Sequence, residues 1–260
     1  MWLAIRSLWI WAASAVLIVS RLPGLALLRL FDRDPALYRT GLYFRGLGPL
    51  LARVNPSWRV RVTGVTIEDP RRPYVVVSNH QSMADIPLVS HLPFEMKWIG
   101  KESLFRVPIM GWLMRLAGDI PLDRGDRRKG AKVLLRANYY LQHRCSVMFF
   151  PEGTRSRDGR VGRFNDGAFL LAIRNQLPVL PLALDGSLNC LPKHSWIFGA
   201  VQDIHLHALP PVDTTGLTTR DVAELRERVR SRIIAQIAHW RGVPPGEVDG
   251  VSAECPTAQD

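Results

Sequence analysis

Short β-rich runs alternate with helical stretches from about residue 57 onward, and this alternation constrains the fold more than any other feature. Residues 58–62 alternate apolar and charged side chains, and 74–77, 147–150, 179–184 and 204–209 are further strand candidates. Helical stretches such as 130–143 and 167–175 lie between them. Strands that alternate with helices predict an α/β fold in which helices cover a sheet.

An uncharged apolar run of fourteen residues, Ser7 to Ser20, lies near the N-terminus between Arg6 and Arg21. A bilayer span needs about 20 apolar residues, so this length is typical of an interfacial or re-entrant helix or a signal-peptide core. No small-x-small cleavage site follows, which disfavours the signal peptide. Since Pro23 and Gly24 interrupt the apolar sequence, we expect a second short helix to fold back. We predict a membrane-embedded helical hairpin or tilted anchor over residues 1–50; the alternative is an ordinary buried helix.

The rest of the chain divides into one large domain and a tail. We predict an α/β domain over residues 51–242, which ends in an amphipathic helix over about 221–241. Residues 243–260 are polar and rich in proline and glycine, so we expect them to form a disordered tail.

The chain is strongly basic, with a formal net charge of +11, and this favours an anionic partner. Nucleic acid, a membrane surface and a phosphorylated substrate all fit, but no basic-aromatic module is present, so we expect no nucleic-acid binding. Three widely spaced cysteines without a Cys-x-x-Cys pair disfavour a zinc knuckle or a disulfide framework, and they fit a reducing, cytoplasm-facing compartment. His205 and His207 share a strand face without an obvious third ligand, so we expect no metal site.

Two segments with chemically useful side chains begin where predicted strands end. Residues 79–85 read NHQSMAD after one β-rich run, and residues 150–156 read FPEGTRS after another. Ligand crevices of open α/β sheets lie outside the carboxyl ends of the strands. The two segments therefore converge on one crevice if their strands are neighbours.

The first segment supplies a candidate base and a group to orient it. Histidine is well suited to general-base catalysis near neutral pH, and a carboxylate on its other ring nitrogen fixes the tautomer. His80 and Asp85 are five residues apart, which suits a loop histidine and a carboxylate that caps the next helix. For an isolated His-x-x-x-x-Asp pattern, a non-catalytic histidine would be the better interpretation. Asn79, Gln81 and Ser82 are candidate supporting residues. With such a base, a group can be transferred directly to an acceptor hydroxyl, so no nucleophilic side chain of the protein is needed.

The second segment supplies a candidate anion cradle. Gly153 lets backbone amides approach an anion closely, and Arg155 offers a two-pronged guanidinium donor. Glu152 and Thr154 belong to the same turn, where Glu152 is expected to orient Arg155 or the turn itself. Lys101 and Arg124 are further candidates to bind the same anion, which we expect to be a phosphate. The alternative for both is that they are ordinary charged residues of the surface.

Four sequence blocks resemble, in the same order along the chain, those of the glycerolipid acyltransferases, the family of 1-acylglycerol-3-phosphate acyltransferase. NHQSMAD and FPEGTRS are similar to the first and third blocks, GDIPLDR at 118–124 to the second, and LPVLPLA at 177–183 to the fourth. Pro121 stands where an aromatic residue is common, and Lys101 lies in a similar basic and apolar segment, GKESLFRVPIMG. The resemblance implies an acyltransferase-like mixed sheet. It implies His80 as base, Asp85 as its partner, and an acceptor phosphate bound by Glu152, Gly153, Thr154, Arg155, Lys101 and Arg124.

The resemblance also implies a reaction and a location. We expect transfer of a fatty acyl chain from acyl carrier protein or coenzyme A to lysophosphatidic acid, giving phosphatidic acid, without a further cofactor. Another lyso-lipid acceptor, such as a lyso-ornithine lipid, is the alternative within enzymes; a non-catalytic basic membrane-binding protein is the alternative outside them. We expect a monotopic protein on the cytoplasmic face of the inner membrane, in contact with membrane lipids. The sequence leaves its oligomeric state open.

Overall fold

The structure is a computed structural model that describes residues 2–123, 127–192 and 195–251. Within those ranges, seven strands form one sheet in the order β1-β7-β6-β2-β5-β3-β4. The sheet is mixed because β7 runs antiparallel to β6, whereas the other neighbouring pairs are parallel. The strands are β1 Trp58–Gly64, β2 Val75–Ser78, β3 Met96–Lys101, β4 Ile120–Leu122, β5 Ser146–Phe149, β6 Val179–Asp185 and β7 Gln202–Ala208. The predicted α/β class is confirmed, although β3 and β4 were not expected as strands.

Helices cover the sheet and precede it. They are α1 Trp2–Phe31, α2 Tyr38–Arg45, α3 Leu47–Arg53, α4 Asp85–Val89, α5 Met110–Ala117, α6 Arg127–Gln142, α7 Gly167–Asn175, α8 Val222–Arg241 and α9 Pro245–Val248. Short 3₁₀ helices occupy Glu102–Arg106 and Thr219–Asp221. The central strand β2 is buried along its whole length, as expected for a strand covered on both faces. Val75 and Val77 pack with α6, α7 and α8, whereas Val76 packs with α4 on the opposite face.

The N-terminal segment is one continuous helix, so the expected hairpin is wrong. α1 runs through Pro23 without a break, although proline removes a backbone donor from a helix interior. Packing on the proline's C-terminal side opposes a break there, because Leu25 is fully buried in a cluster with Phe44 of α2 and Leu113 of α5. Among the described residues, α1 is the one helix whose length and composition would allow it to cross a membrane, and only 11% of its most apolar window is buried.

The boundary of the expected tail also needs correction. Residues 243–251 are folded: α9 lies within them, and Val248 is fully buried. Val161 N–H donates to the Val248 carbonyl at 2.8 Å, and Gly250 N–H donates to the Val161 carbonyl at 3.0 Å. Arg230 of α8 forms an ion pair with Asp249. The polar composition of this segment concealed a few specific anchors, and residues 252–260 lie outside the described part of the chain.

Candidate active site

Three loops meet at the carboxyl edge of the sheet. β2 lies between β5 and β6 and runs parallel to both, so the loops that follow these strands leave the sheet at the same edge. The His80 loop follows β2, the Glu152 loop follows β5, and the loop that begins at Gly186 follows β6. The two sequence segments therefore lie side by side, as expected for a shared crevice.

His80 and Asp85 are in direct contact. The distance from His80 Nδ1 to Asp85 Oδ2 is 2.7 Å, and both side chains are largely buried. A carboxylate accepts hydrogen bonds, so Nδ1 carries the hydrogen and the lone pair of the neutral ring is on Nε2. Among the described residues, none forms a hydrogen bond with Nε2. The ring is thus oriented with its basic nitrogen available to a substrate proton.

The Asp85 carboxylate is held by several donors besides the imidazole. Oδ2 also accepts hydrogen bonds from the backbone amides of Gln81 and Ser82, at 2.7 and 2.9 Å. Oδ1 accepts a hydrogen bond from the hydroxyl of Ser187, a fully buried residue of the loop after β6. α4 begins at Asp85 as expected, but the carboxylate turns back onto the preceding loop and does not cap the helix. These bonds fix Asp85 in the geometry that His80 requires.

Glu152 accepts hydrogen bonds from two backbone amides. Its Oε1 accepts the backbone amide of His80 at 2.7 Å, and its Oε2 accepts that of Gly162 at 3.0 Å. Both oxygens thus accept hydrogen bonds from the protein backbone. A role of Glu152 towards the acceptor phosphate stays a prediction. Burial raises the pKa of Glu152 to about 7. The residue joins the His80 loop to the loop after β5.

The other candidate phosphate ligands that the structure describes lie at the same edge of the sheet. Gly153 has φ +72°, which glycine adopts without strain, and its amide donates to the Phe150 carbonyl within the turn. Thr154 is exposed and Arg155 is half-buried in that turn. Lys101 is the exposed last residue of β3, the strand next to β5. Arg124, the fourth basic or hydroxyl candidate, lies outside the described residues.

The supporting residues connect the His80 loop to β6. The Asn79 side chain exchanges two hydrogen bonds with the backbone of Leu184, at 2.8 and 2.9 Å. Gln81 Nε2 donates to Asp185 Oδ1 at 3.1 Å, and Ser82 uses its backbone amide on Asp85. These contacts hold the His80 loop in place, and the supporting role of Asn79, Gln81 and Ser82 in the reaction stays a prediction.

Phe150 is a site residue for which we predicted no role from the sequence. Its ring stacks on the imidazole of His80, with 4.0 Å between ring centroids and 16° between the planes. The Trp98 ring of β3 is tilted against the Phe150 ring, with 5.8 Å between the ring centroids. Phe150 stands directly before the Pro-Glu-Gly turn, but nothing in its position along the chain signals a contact with a residue 70 positions earlier. The stack restricts rotation of the His80 ring.

Comparison with known proteins finds a matching family. Residues 59–185 match the model of the acyltransferase family, described as Acyltransferase. That range includes the His80 loop, the Glu152 turn and β6, but it excludes α1 and α8.

Individual proteins extend the similarity. A chloroplastic 1-acyl-sn-glycerol-3-phosphate acyltransferase of Brassica napus is 37% identical over 186 residues, which cover 70% of this chain and 53% of that protein. The human 1-acyl-sn-glycerol-3-phosphate acyltransferase alpha is 36% identical over 180 residues, which cover 68% of this chain and 62% of that protein. This chain thus matches only about half to three-fifths of the length of these relatives.

A solved structure covers more of the chain. The crystal structure of the 1-acyl-sn-glycerophosphate acyltransferase PlsC from Thermotoga maritima superposes with a TM-score of 0.76 at 27% identity, over 92% of this chain and 95% of that one. Together with the family model and the curated relatives, this similarity shows that the chain belongs to the acyltransferase family that contains the 1-acyl-sn-glycerol-3-phosphate acyltransferases.

Proposed function

We propose that this protein transfers a fatty acyl group from a thioester donor to the free hydroxyl of lysophosphatidic acid, which gives phosphatidic acid. One observation carries the proposal: His80 is bonded to Asp85 through Nδ1, while Nε2 has no partner among the described residues. This is the arrangement of a general base that is held in one tautomer. The names of the matched relatives support lysophosphatidic acid as the acceptor.

The proposed reaction needs no covalent enzyme intermediate. His80 Nε2 takes the proton of the acceptor hydroxyl while that oxygen attacks the thioester carbonyl carbon. Asp85 stabilises the imidazolium that forms. When the tetrahedral intermediate collapses, the carbon–sulfur bond breaks, and the imidazolium returns its proton to the departing thiolate. The products are an ester, a free thiol and neutral His80.

The acceptor phosphate is proposed to bind beside the Gly153 turn. Arg155 lies on that turn. Lys101 is the last residue of β3, which neighbours β5, and lies at the same edge of the sheet. A guanidinium offers two parallel donors to phosphate oxygens, and an ammonium adds a point charge. Glu152 contributes indirectly, because it holds the His80 backbone against the turn that carries Arg155.

α1 is proposed to anchor the protein to a membrane on its cytoplasmic side. Trp2, Trp9 and Leu30 are among its exposed apolar side chains, and the fraction exposed reaches 79% at Leu30. Such a surface is unfavourable in water, whereas indole rings suit the level of the lipid headgroups. The net charge of +11 favours an anionic leaflet.

The experiment that tests the reaction measures transfer of a labelled acyl group to lysophosphatidic acid by detergent-solubilised protein. The acyl donor is either acyl carrier protein or coenzyme A, loaded as a thioester. We expect the wild type to form phosphatidic acid and the activity of His80→Ala to be lower by roughly 10²–10⁴-fold, the range for an essential general base. The faster donor is identified in the same assay. Equal activity in both proteins would remove His80 from the mechanism. Product from lyso-ornithine lipid alone would show that the proposed acceptor is wrong.

A further inference from the structure

A second cavity lies beside the edge strand β4. Its volume is about 680 Å³, and it lies between the 3₁₀ helix Glu102–Arg106, α5, β4 and α6. None of the described residues that are hydrogen-bonded to His80 or Asp85 lines this cavity. Its volume is within the range of small-molecule sites, so it is large enough for a polar headgroup.

Four cationic side chains contribute to the cavity wall. They are Arg106, Arg115, Lys132 and Arg136. Arg115 and Lys132 form no ion pair among the described residues. Arg136 donates to the Tyr140 hydroxyl, a neutral partner, at 3.0 Å and therefore keeps its charge uncompensated there.

Carboxylates also line the cavity, and two of them form ion pairs between described residues. Asp119 is paired with Arg45 beneath the cavity, and both of these side chains are almost fully buried. Glu102 pairs with Arg106 at 3.2 Å on the surface. Asp123 is the third carboxylate of the wall. Among the described lining residues, four cations face three carboxylates, and one of these carboxylates pairs with a cation outside the wall. The described part of the wall therefore has an excess of positive charge, which favours an anion.

Exposed apolar side chains adjoin these cations. Val107 is 45% exposed and Trp112 is 53% exposed, while Arg115 follows Trp112 by three positions and lies on the same side of α5. The other side of α5 is buried through Leu113, which packs in the same cluster as Leu25 of α1. α5 therefore packs in one cluster with α1 through Leu113 and exposes Trp112 on another side.

We propose that this cavity binds the phosphate of an anionic phospholipid of the bilayer, with Trp112 and Val107 at the level of the headgroups. The proposal rests on the membrane anchoring by α1 proposed above and adds a second, lipid-selective contact. Tryptophan and arginine together suit the boundary between acyl chains and headgroup phosphates. Two contacts, α1 and the α5 surface, would fix the height and tilt of the sheet edge that carries His80.

Vesicle binding of two charge-matched double variants tests the proposal. Arg115→Gln with Lys132→Gln removes two positive charges from the cavity, and Arg228→Gln with Arg232→Gln removes two exposed charges from α8. On vesicles of phosphatidylcholine with phosphatidylglycerol, we expect the cavity variant to lose roughly 10- to 30-fold in affinity. We expect little change for the α8 variant, and no difference between the two on pure phosphatidylcholine. Equal losses in both would assign binding to overall charge and overturn the proposal.

Two further measurements separate the sources of the anion. In detergent, where no bilayer must be bound, the cavity variant should keep the wild-type KM for lysophosphatidic acid; a raised KM would place the acceptor in the cavity and overturn the proposal. A thermal shift of the wild type with short-chain phosphatidylglycerol, but not with inorganic phosphate, is expected. The reverse pattern would identify a free-phosphate site. The vesicle result is independent of whether any acyl acceptor has been found, so failure of the proposed reaction would be seen separately.

Discussion

Asp85 has two carboxylate oxygens, and the one that does not bond His80 accepts the Ser187 hydroxyl. Ser187→Ala would leave that oxygen buried without a donor, which disturbs the carboxylate that positions the imidazole. We expect kcat to fall by roughly 10-fold, equivalent to about 1.4 kcal/mol, with KM changed little. Steady-state kinetics in detergent measure both constants.

Ser90→Ala is a matched control for that variant. Ser90 lies directly after α4, the helix that begins at Asp85. Its hydroxyl donates to the Ile86 carbonyl at 2.8 Å and forms no hydrogen bond with the Asp85 carboxylate. We expect wild-type kcat from this variant and a thermal stability close to that of Ser187→Ala. If the two serine variants lose the same activity, Ser187 has no specific role through Asp85. Ser187→Thr keeps the hydroxyl and should recover part of kcat.

Glu152 predicts a pH dependence of stability with a definite sign. Its folded-state pKa is raised to about 7 from an ordinary value of 4.5, because burial disfavours the charged form. The folded state then binds the proton more tightly than the unfolded state. The proton on Glu152 therefore adds to the free energy of unfolding. This contribution is fully present below about pH 4.5 and is lost as pH rises towards 7, at up to about 1.4 kcal/mol per pH unit. Thermal melting across this window should show a steeper decline for the wild type than for Glu152→Gln; parallel curves would contradict the assignment.

The pair His80 and Asp85 could be predicted because it is local, five residues apart after a β-rich run. The other partners of the site come from far along the chain: Ser187 is 102 positions from Asp85, and Glu152 is 72 from His80. Their contacts depend on β2 lying between β5 and β6, and strand order is not encoded in any local pattern. A serine after a strand carries no signal of its own.

At the scale of elements, β3 was missed because its sequence, MKWIGK, has a charged residue at a buried position. Lys97 is fully buried, and its ammonium contacts Glu95 Oε1 at 2.8 Å and the Ala117 carbonyl at 2.7 Å. Arg45 of α2 lies 3.5 Å from the other oxygen of Glu95. A buried lysine is tolerated only where such partners exist. Here Ala117 comes from α5, and Arg45, the second cation beside Glu95, comes from α2.

This buried cluster makes a testable contribution to stability. Lys97→Met removes one cation and leaves Glu95 with Arg45 alone, so we expect a loss of roughly 3–5 kcal/mol in the free energy of unfolding. Lys97→Met combined with Glu95→Gln removes both charges, and it should be clearly more stable than the single variant. Denaturant titration in detergent measures both. A double variant no more stable than the single one would show that burial of an unpaired charge is not the cause.

The N-terminal helix shows a similar limit of local prediction. Pro23 and Gly24 are breakers by propensity, yet α1 continues through them. Leu22 before the pair and Leu25 after it both pack in the cluster that includes α2 and α5. A side-chain carbon at Gly24 would lie 2.4 Å from the Tyr43 hydroxyl, so glycine permits the close approach of α2. The apolar run correctly indicated a helix with an unusual surface; its length and course depended on packing.

At the scale of the whole molecule, α1 is attached to the globular body near both of its ends. Near its start, Ser7 Oγ accepts the Phe198 amide at 2.9 Å and Trp11 Nε1 donates to the Trp196 carbonyl at 2.7 Å. Towards its other end, Leu25 is buried against α2 and α5. A helix of 30 residues is about 45 Å long, enough to span a bilayer. Because the body follows α1 along its length, a span would draw charged, folded surface into the hydrocarbon, which is strongly unfavourable.

We therefore expect α1 to lie along one leaflet, and cysteine labelling can decide this. Leu3→Cys and Arg33→Cys place a thiol at either end of α1, in a background with Cys255 replaced; Cys145 and Cys190 are buried. When the protein is bound to the outside of sealed vesicles, a membrane-impermeant maleimide should modify both positions without lysis. Protection of one position until the vesicles are lysed would show that α1 spans. Labelling at both ends would mean that membrane binding and the fold share one rigid unit, so the sheet edge that carries His80 is held at a fixed distance from the lipid surface.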